Sequence, residues 1–102
     1  MSDPIRTAYY ELCRLLDIKL EHLRPRNHVG EGTDWKFLDD RIYFEVMPGK
    51  DNLAISITAD DNPVVEEQVD PNNRGELSLP AYMEAIAQRL HETVKEQIKA
   101  LS

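Results

Sequence analysis

Cysteine occurs once, at Cys13, so no disulfide can form within the chain and a thiolate-built metal site lacks its ligands. A lone thiol fits a reducing, cytoplasmic setting. No apolar run approaches the roughly 20 residues that a membrane-spanning helix needs. The opening Met-Ser-Asp-Pro-Ile-Arg passes straight into a charged amphipathic pattern, which is not that of a secretory signal. Positive charge is scarce: 12 basic residues against 19 acidic ones leave a net charge of −7. Such a balance repels nucleic acid and anionic membranes, so neither is expected as a direct partner. Internal repeats and low-complexity stretches are absent too. At 102 residues the chain is expected to form a single domain, residues 1–102, with one core.

What is present begins with a helix. Asp3-Pro4 reads as an N-cap followed by proline at the first helical position, where its missing N–H costs nothing. Ile5, Ala8, Tyr9, Leu12 and Leu16 then fall on one stripe. Beyond Asp17 two readings compete. Leu20 and Leu23 continue the stripe, whereas Ile18, Leu20 and His22 would alternate as a strand; helix to about Leu23 is favoured, and Pro25 ends either. Residues 24–34, with two glycines and a proline, read as the longest loop.

Three segments alternate with period two: Trp35–Leu38, Ile42–Val46 and Leu53–Thr58. A turn at Asp39-Asp40 sets Phe37 opposite Ile42 and Trp35 opposite Phe44. A second turn over Met47–Asn52 sets Val46 opposite Leu53, Phe44 opposite Ile55 and Ile42 opposite Ile57. Both registers gather the large apolar residues on one dry face and leave Lys36, Tyr43, Glu45 and Ser56 on a wet one. Val64–Val69 is readable as an edge strand or a short helix, with the strand favoured. The final segment, Leu79–Leu101, carries Met83, Ile86, Ala87, Leu90, Val94 and Ile98 at helical spacing, opposite Glu84, Gln88, Glu92, Lys95 and Glu96. The expected fold is therefore α+β: an N-terminal helix, an antiparallel meander of three to four strands and a long C-terminal amphipathic helix, both helices on one face of the sheet.

Candidate chemistry is thin. Asp70-Pro-Asn72-Asn-Arg74-Gly75 resembles the start of an EF-hand calcium loop, with Asp at position one, Asn at three and Gly at six. Arg74 stands at the fifth position, however, and Ala81 at the twelfth, where a bidentate Glu belongs. His22, His28 and His91 show no metal-ligand spacing, Cys13 lies on the apolar side of the first helix, and Gly30-Glu31-Gly32 lacks the rest of a phosphate loop. No acid, base and nucleophile converge, so neither catalytic residues nor a cofactor or metal are expected.

Charge distribution is more informative. Asp60, Asp61, Glu66, Glu67, Asp70 and Glu76 face only Arg74 in their stretch, whereas Lys19, Arg24 and Arg26 with two histidines make residues 19–28 basic. These six acids and Tyr43 are the expected partner-binding residues. The leading functional reading is a non-catalytic, acidic protein-interaction module (inhibitor, chaperone-like or adaptor) whose acidic and sheet surfaces meet another protein with a basic surface. An alternative is an acidic inhibitor, or nucleic-acid mimic, blocking a nuclease or nucleic-acid-binding protein; it needs the acids of 39–45 and 60–76 on one surface. A further alternative is a small-ligand binder or enzyme gripping an anion with Arg24, Arg26 and His28 of the 24–34 loop. A homodimer would arise from pairing of Val64–Val69 across a two-fold axis, or from apolar helix surface left uncovered.

The layout also looks like that of the small acidic secretion chaperones, through Tyr10–Leu16 and Leu79–Ile86 on the two flanking helices. The chain is too short for that family's middle helix and later strands. The resemblance implies a protein-binding, non-catalytic role.

Overall fold

The computed structural model describes residues 3–102. Helix α1 (Pro4–Leu20) leads through a 3₁₀ turn (Glu21–Leu23) into five strands, β1 (Arg26–Val29), β2 (Thr33–Phe37), β3 (Ile42–Pro48), β4 (Leu53–Ala59) and β5 (Asn62–Val69), and the chain closes with α2 (Leu79–Leu101). The strands pair antiparallel in chain order, β1-β2-β3-β4-β5, and both helices cover one face. The architecture is the expected α+β, with five strands rather than three to four. No helix interrupts the meander. Nor is any helix of the described residues long and apolar enough to cross a membrane.

Local chemistry sets the helix ends. The Asp3 carboxylate accepts from the N–H of Ile5 at 2.9 Å, satisfying one of the donors that a helix start leaves free. The Ser78 hydroxyl does the same for Ala81 at 3.2 Å. Past Leu20 the helix tightens into the 3₁₀ turn, and Arg24, at φ 55°, turns the chain out with its N–H on the Glu21 carbonyl. The competition over residues 18–23 is thus resolved in favour of helical backbone.

Residues 24–34 differ from the loop expected of them. They hold β1 and a tight hairpin, in which Asn27 pairs with Trp35 and Val29 with Thr33. All four β1 residues are exposed, because this strand lies at the sheet edge beyond the cover of α1. With neither face buried, no alternation marked it. Glycine is required in its turn: a Cβ at Gly32 would lie 2.7 Å from the Val46 carbonyl oxygen.

Asp39 and Asp40 are the central turn residues between β2 and β3, and Asp60 and Asp61 repeat the device between β4 and β5. All four have positive φ, between 49° and 68°, as type I′ turns demand. The β2–β3 register is the expected one, with Trp35 opposite Phe44 and Phe37 opposite Ile42. The β3–β4 register is shifted by two residues: Val46 faces Ile55, Phe44 faces Ile57 and Ile42 faces Ala59. Met47 and Pro48 continue β3 instead of turning, and Gly49 closes a shorter loop by donating to the Asn52 carbonyl. An even shift keeps every side chain on its face, so the dry face survives the correction. Val64–Val69 is a strand, with an irregularity in its pairing beside Ile57 and Thr58.

The core lies between this face and the helices. Trp35, Ile42, Phe44, Val46, Leu53 and Ile57 are fully buried, as are Leu12, Leu16 and Leu20 from α1 and Met83, Leu90 and Val94 from α2. Each side chain of this kind contributes about 1.5–3 kcal/mol before chain entropy is subtracted. The polar parts of the core are matched: the Trp35 indole N–H donates to Asp17 at 2.9 Å, and the Tyr9 hydroxyl meets the Thr33 hydroxyl at 2.6 Å. Lys19 meets Glu84 and Gln88, and one turn further on His22 meets His91. The two helices therefore run in the same direction, α1 toward β2 and α2 toward β5, where Arg89 pairs with Glu67.

Candidate functional site

Among the described residues nothing covers the side of the sheet away from the helices. Antiparallel register places His28, Asp34, Glu45, Ser56 and Glu66 in one cross-strand row, one residue from each strand. Next to it runs the row of Arg26, Lys36, Tyr43 and Thr58. The Tyr43 hydroxyl donates to Glu45 at 3.0 Å and lies 3.5 Å from an Asp34 oxygen. Burial, the Glu45 hydrogen bond and then the two carboxylate charges push its phenol up to about 12, so it remains a donor at neutral pH. Lys36 sits over the Tyr43 ring, 5.5 Å from its centroid.

Asp34 is the innermost acid of this row. Its side chain is only 15% exposed, one oxygen is 3.6 Å from the His28 ring, and the other is buried without a hydrogen-bond partner. A shallow cavity of about 310 Å³, lined by His28, Gly32, Asp34, Glu45 and Met47 among others, opens above it. Glu45 and Glu66 have no cationic partner within 4 Å among the described residues. Asp34 and Glu45 are on adjacent strands and Glu66 lies two strands beyond Glu45, so the three carboxylates span roughly 14 Å and raise a negative potential along a flat hydrogen-bonding surface.

The residues expected from sequence are distributed differently. Tyr43 and Glu66 lie on this face. Glu67 points to the helix side, where Arg89 holds it at 2.7 Å. Asp60 and Asp61 sit in the β4–β5 turn, and Asp60 is gripped by Arg41 through bonds of 2.9 and 2.8 Å that hold its carboxyl below the usual range. Asp70 lies beyond the other end of β5, about 25–30 Å away by strand rise. Its carboxylate accepts from the Asn72 N–H, and exposed Glu76 follows in the loop before α2. The 60–76 acids therefore do not share one surface. Strand alternation and turns divide them, while Asp34 and Glu45, from outside that stretch, join Glu66.

The EF-hand-like turn is tied by its own arginine. Arg74 donates to the Pro71 carbonyl at 2.8 Å and the Leu77 carbonyl at 3.0 Å, so a guanidinium fills the loop where a cation would sit. Gly75, at φ 60°, supplies the left-handed residue there. Among the described residues no group of three or more His, Cys, Asp or Glu is placed to hold a metal ion. Cys13 is buried beside Tyr9 and Thr33, and burial, with the nearby Asp17 charge, pushes its thiol up to about 11, far from a nucleophilic thiolate. Of the cations expected in the 24–34 loop, Arg26 is held by both oxygens of Asp40 at 3.0 Å, and His28 faces Asp34.

The cross-strand row was not legible without the β1–β2 hairpin and the corrected β3–β4 register. The one signal was Asp34 and Glu45 at even spacing from wet-face residues. Comparison with protein-family models, with curated proteins and with solved structures gives no significant match.

Proposed function

We propose that this chain is a non-catalytic protein-interaction module whose uncovered sheet face receives a basic segment of a partner protein. The observation that carries the reading is the row Asp34–Glu45–Glu66 beside Tyr43. Elsewhere Glu11, Asp40, Asp60, Glu67, Glu84 and Glu92 are each paired with a cation of this chain, whereas Glu45, which accepts from the Tyr43 hydroxyl, and Glu66 have no cationic partner among the described residues. A Lys- or Arg-bearing segment laid across β3 to β5 supplies the missing charge, and Tyr43 gives it a flat apolar contact. Complementarity of this kind sets encounter rate and register more than raw affinity.

The test is co-purification from the native host with tagged wild type and a Glu45→Lys/Glu66→Lys variant, both checked for equal thermal stability. Wild type should retain a basic protein at low salt and release it as salt rises, and the variant should fail to retain it. Retention of the same protein by the variant would sink the proposal.

A further inference from the structure

His22, in the turn after α1, and His91, on α2, meet Nε2 to Nε2 at 2.9 Å. The ring planes stand at 85° and the centroids are 5.2 Å apart. That separation is close to the largest a 2.9 Å nitrogen contact allows, so the two nitrogens point at each other along the line joining the rings. Head-on approach is the geometry of one N–H···N hydrogen bond. Two lone pairs ligating a shared metal ion would instead converge on a third point.

One ring must donate and the other accept. The far side of His91 decides which. Its Nδ1 is buried and has no hydrogen-bond partner. Were His91 the acceptor, its own proton would sit on that buried Nδ1 as an orphaned N–H, which proteins tolerate less well than an unsatisfied lone pair. His91 therefore carries Nε2–H and donates. His22, which is exposed, accepts at Nε2 and keeps its proton on Nδ1, toward water.

A further proton has no good place on this pair. On His91 Nδ1 it is buried without an acceptor. On His22 Nε2 it meets the His91 N–H head on, unless His91 moves its own proton to the same buried Nδ1. The charged groups acting on His91 are Lys95 and Glu92 on α2, Lys19 on α1 and His22 itself, and only Glu92 favours the cation. Lys19 is already committed to Glu84 and Gln88, and Lys95 to Glu92.

We propose that His22 and His91 form a proton-operated latch, closed when both rings are neutral and opened by the first proton added. Closed, it ties the link between α1 and β1 to α2. Open, it frees residues 21–25, whose left-handed Arg24 steers the chain into the exposed edge strand. Burial first, then the Lys95, His22 and Lys19 charges, hold the His91 imidazole below its ordinary value of 6.5. The unfolded chain consequently binds protons that the closed latch refuses, and stability falls as pH drops below about 6.5. The latch does not depend on the sheet face having a partner.

The test is long-range ¹H–¹⁵N NMR of the full chain at about pH 7.5, which reads each ring's tautomer directly. His91 should be the Nε2–H tautomer and His22 the Nδ1–H tautomer; identical tautomers, or the reverse pair, overturn the proposal. Urea unfolding of His22→Ala, His91→Ala and the double variant follows, at about pH 7.5 and about pH 5. A coupling present at the higher pH should vanish at the lower. Equal coupling at both values, or none at the higher, overturns the latch. If His91→Ala does not fold, the penalty of His22→Ala alone must show the same loss on acidification, and an unchanged penalty refutes it.

Discussion

The buried contact between Tyr9 and Thr33 gives the sharpest test of how α1 is held to the sheet. Their hydroxyls lie 2.6 Å apart, and each residue is only 4% exposed. Tyr9→Phe deletes one partner and strands the Thr33 hydroxyl away from water. An unsatisfied buried group costs about 1–3 kcal/mol, so a loss near 2 kcal/mol is expected. Thr33→Val conserves shape and strands the phenol instead, again at about 2 kcal/mol. The Cys13 thiol beside both groups is a weak partner and draws each single cost toward the lower end. In the double variant nothing polar is stranded, and the combined loss should be only about 0–1 kcal/mol. Urea unfolding followed by the fluorescence of Trp35, the one tryptophan, measures all four proteins. Each single variant should lower the melting temperature by roughly 4–16 °C without changing the denaturant slope. If the double variant loses the sum of the two singles, the hydroxyls are not coupled and the reasoning fails.

Two further outcomes are expected. Arg41 holds the Asp60 carboxyl below its ordinary value of 3.8 through paired hydrogen bonds, so the stabilisation is present at neutral pH and lost as pH falls through the folded value. Arg41→Ala should therefore destabilise at pH 7, and the difference from wild type should shrink as pH falls below about 4 toward what the Arg41 bond to the Leu101 carbonyl contributes; a constant difference across that range would remove Asp60 as the cause. Asp61→Gly should stabilise by about 0.5–1 kcal/mol, because an exposed aspartate at φ 66° occupies a conformation that glycine adopts freely. A lower melting temperature for this variant would show that the Asp61 side chain contributes more than its backbone costs.

The fold was readable wherever one face of an element meets the core. Leu12, Leu16, Leu90 and Val94 advertise their helices because burial demands a stripe, and Trp35, Phe44 and Ile57 advertise their strands because burial demands alternation. Strand β1 fails that test. Arg26, Asn27, His28 and Val29 bury nothing, so their order reflects hairpin geometry and not hydrophobic pattern. The β3–β4 register differs by two residues from the expected one because Pro48 looks like a turn residue but ends a strand next to Gly49. Parity protected the larger conclusion. The site suffered more, since a run of acids in sequence is not a patch in space: Glu66 and Glu67 are neighbours in the chain and face opposite sides of the sheet. The His22–His91 contact joins residues 69 positions apart and rests on the parallel packing of two helices, which no local spacing encodes.

The order of the strands carries a consequence for how the chain is made. Every sheet pairing is between sequence neighbours joined by a short turn, so four hairpins can close in succession with little loop entropy to overcome. The cover for the β4–β5 half of the dry face is α2, which follows all five strands. During synthesis Leu53, Ile55 and Ile57 leave the ribosome before Met83, Ile86 and Leu90, and so can pair into a sheet before that cover reaches them. The interval between completing β5 and completing α2 is when this protein is most exposed to aggregation, and truncation within residues 79–101 would make that interval permanent.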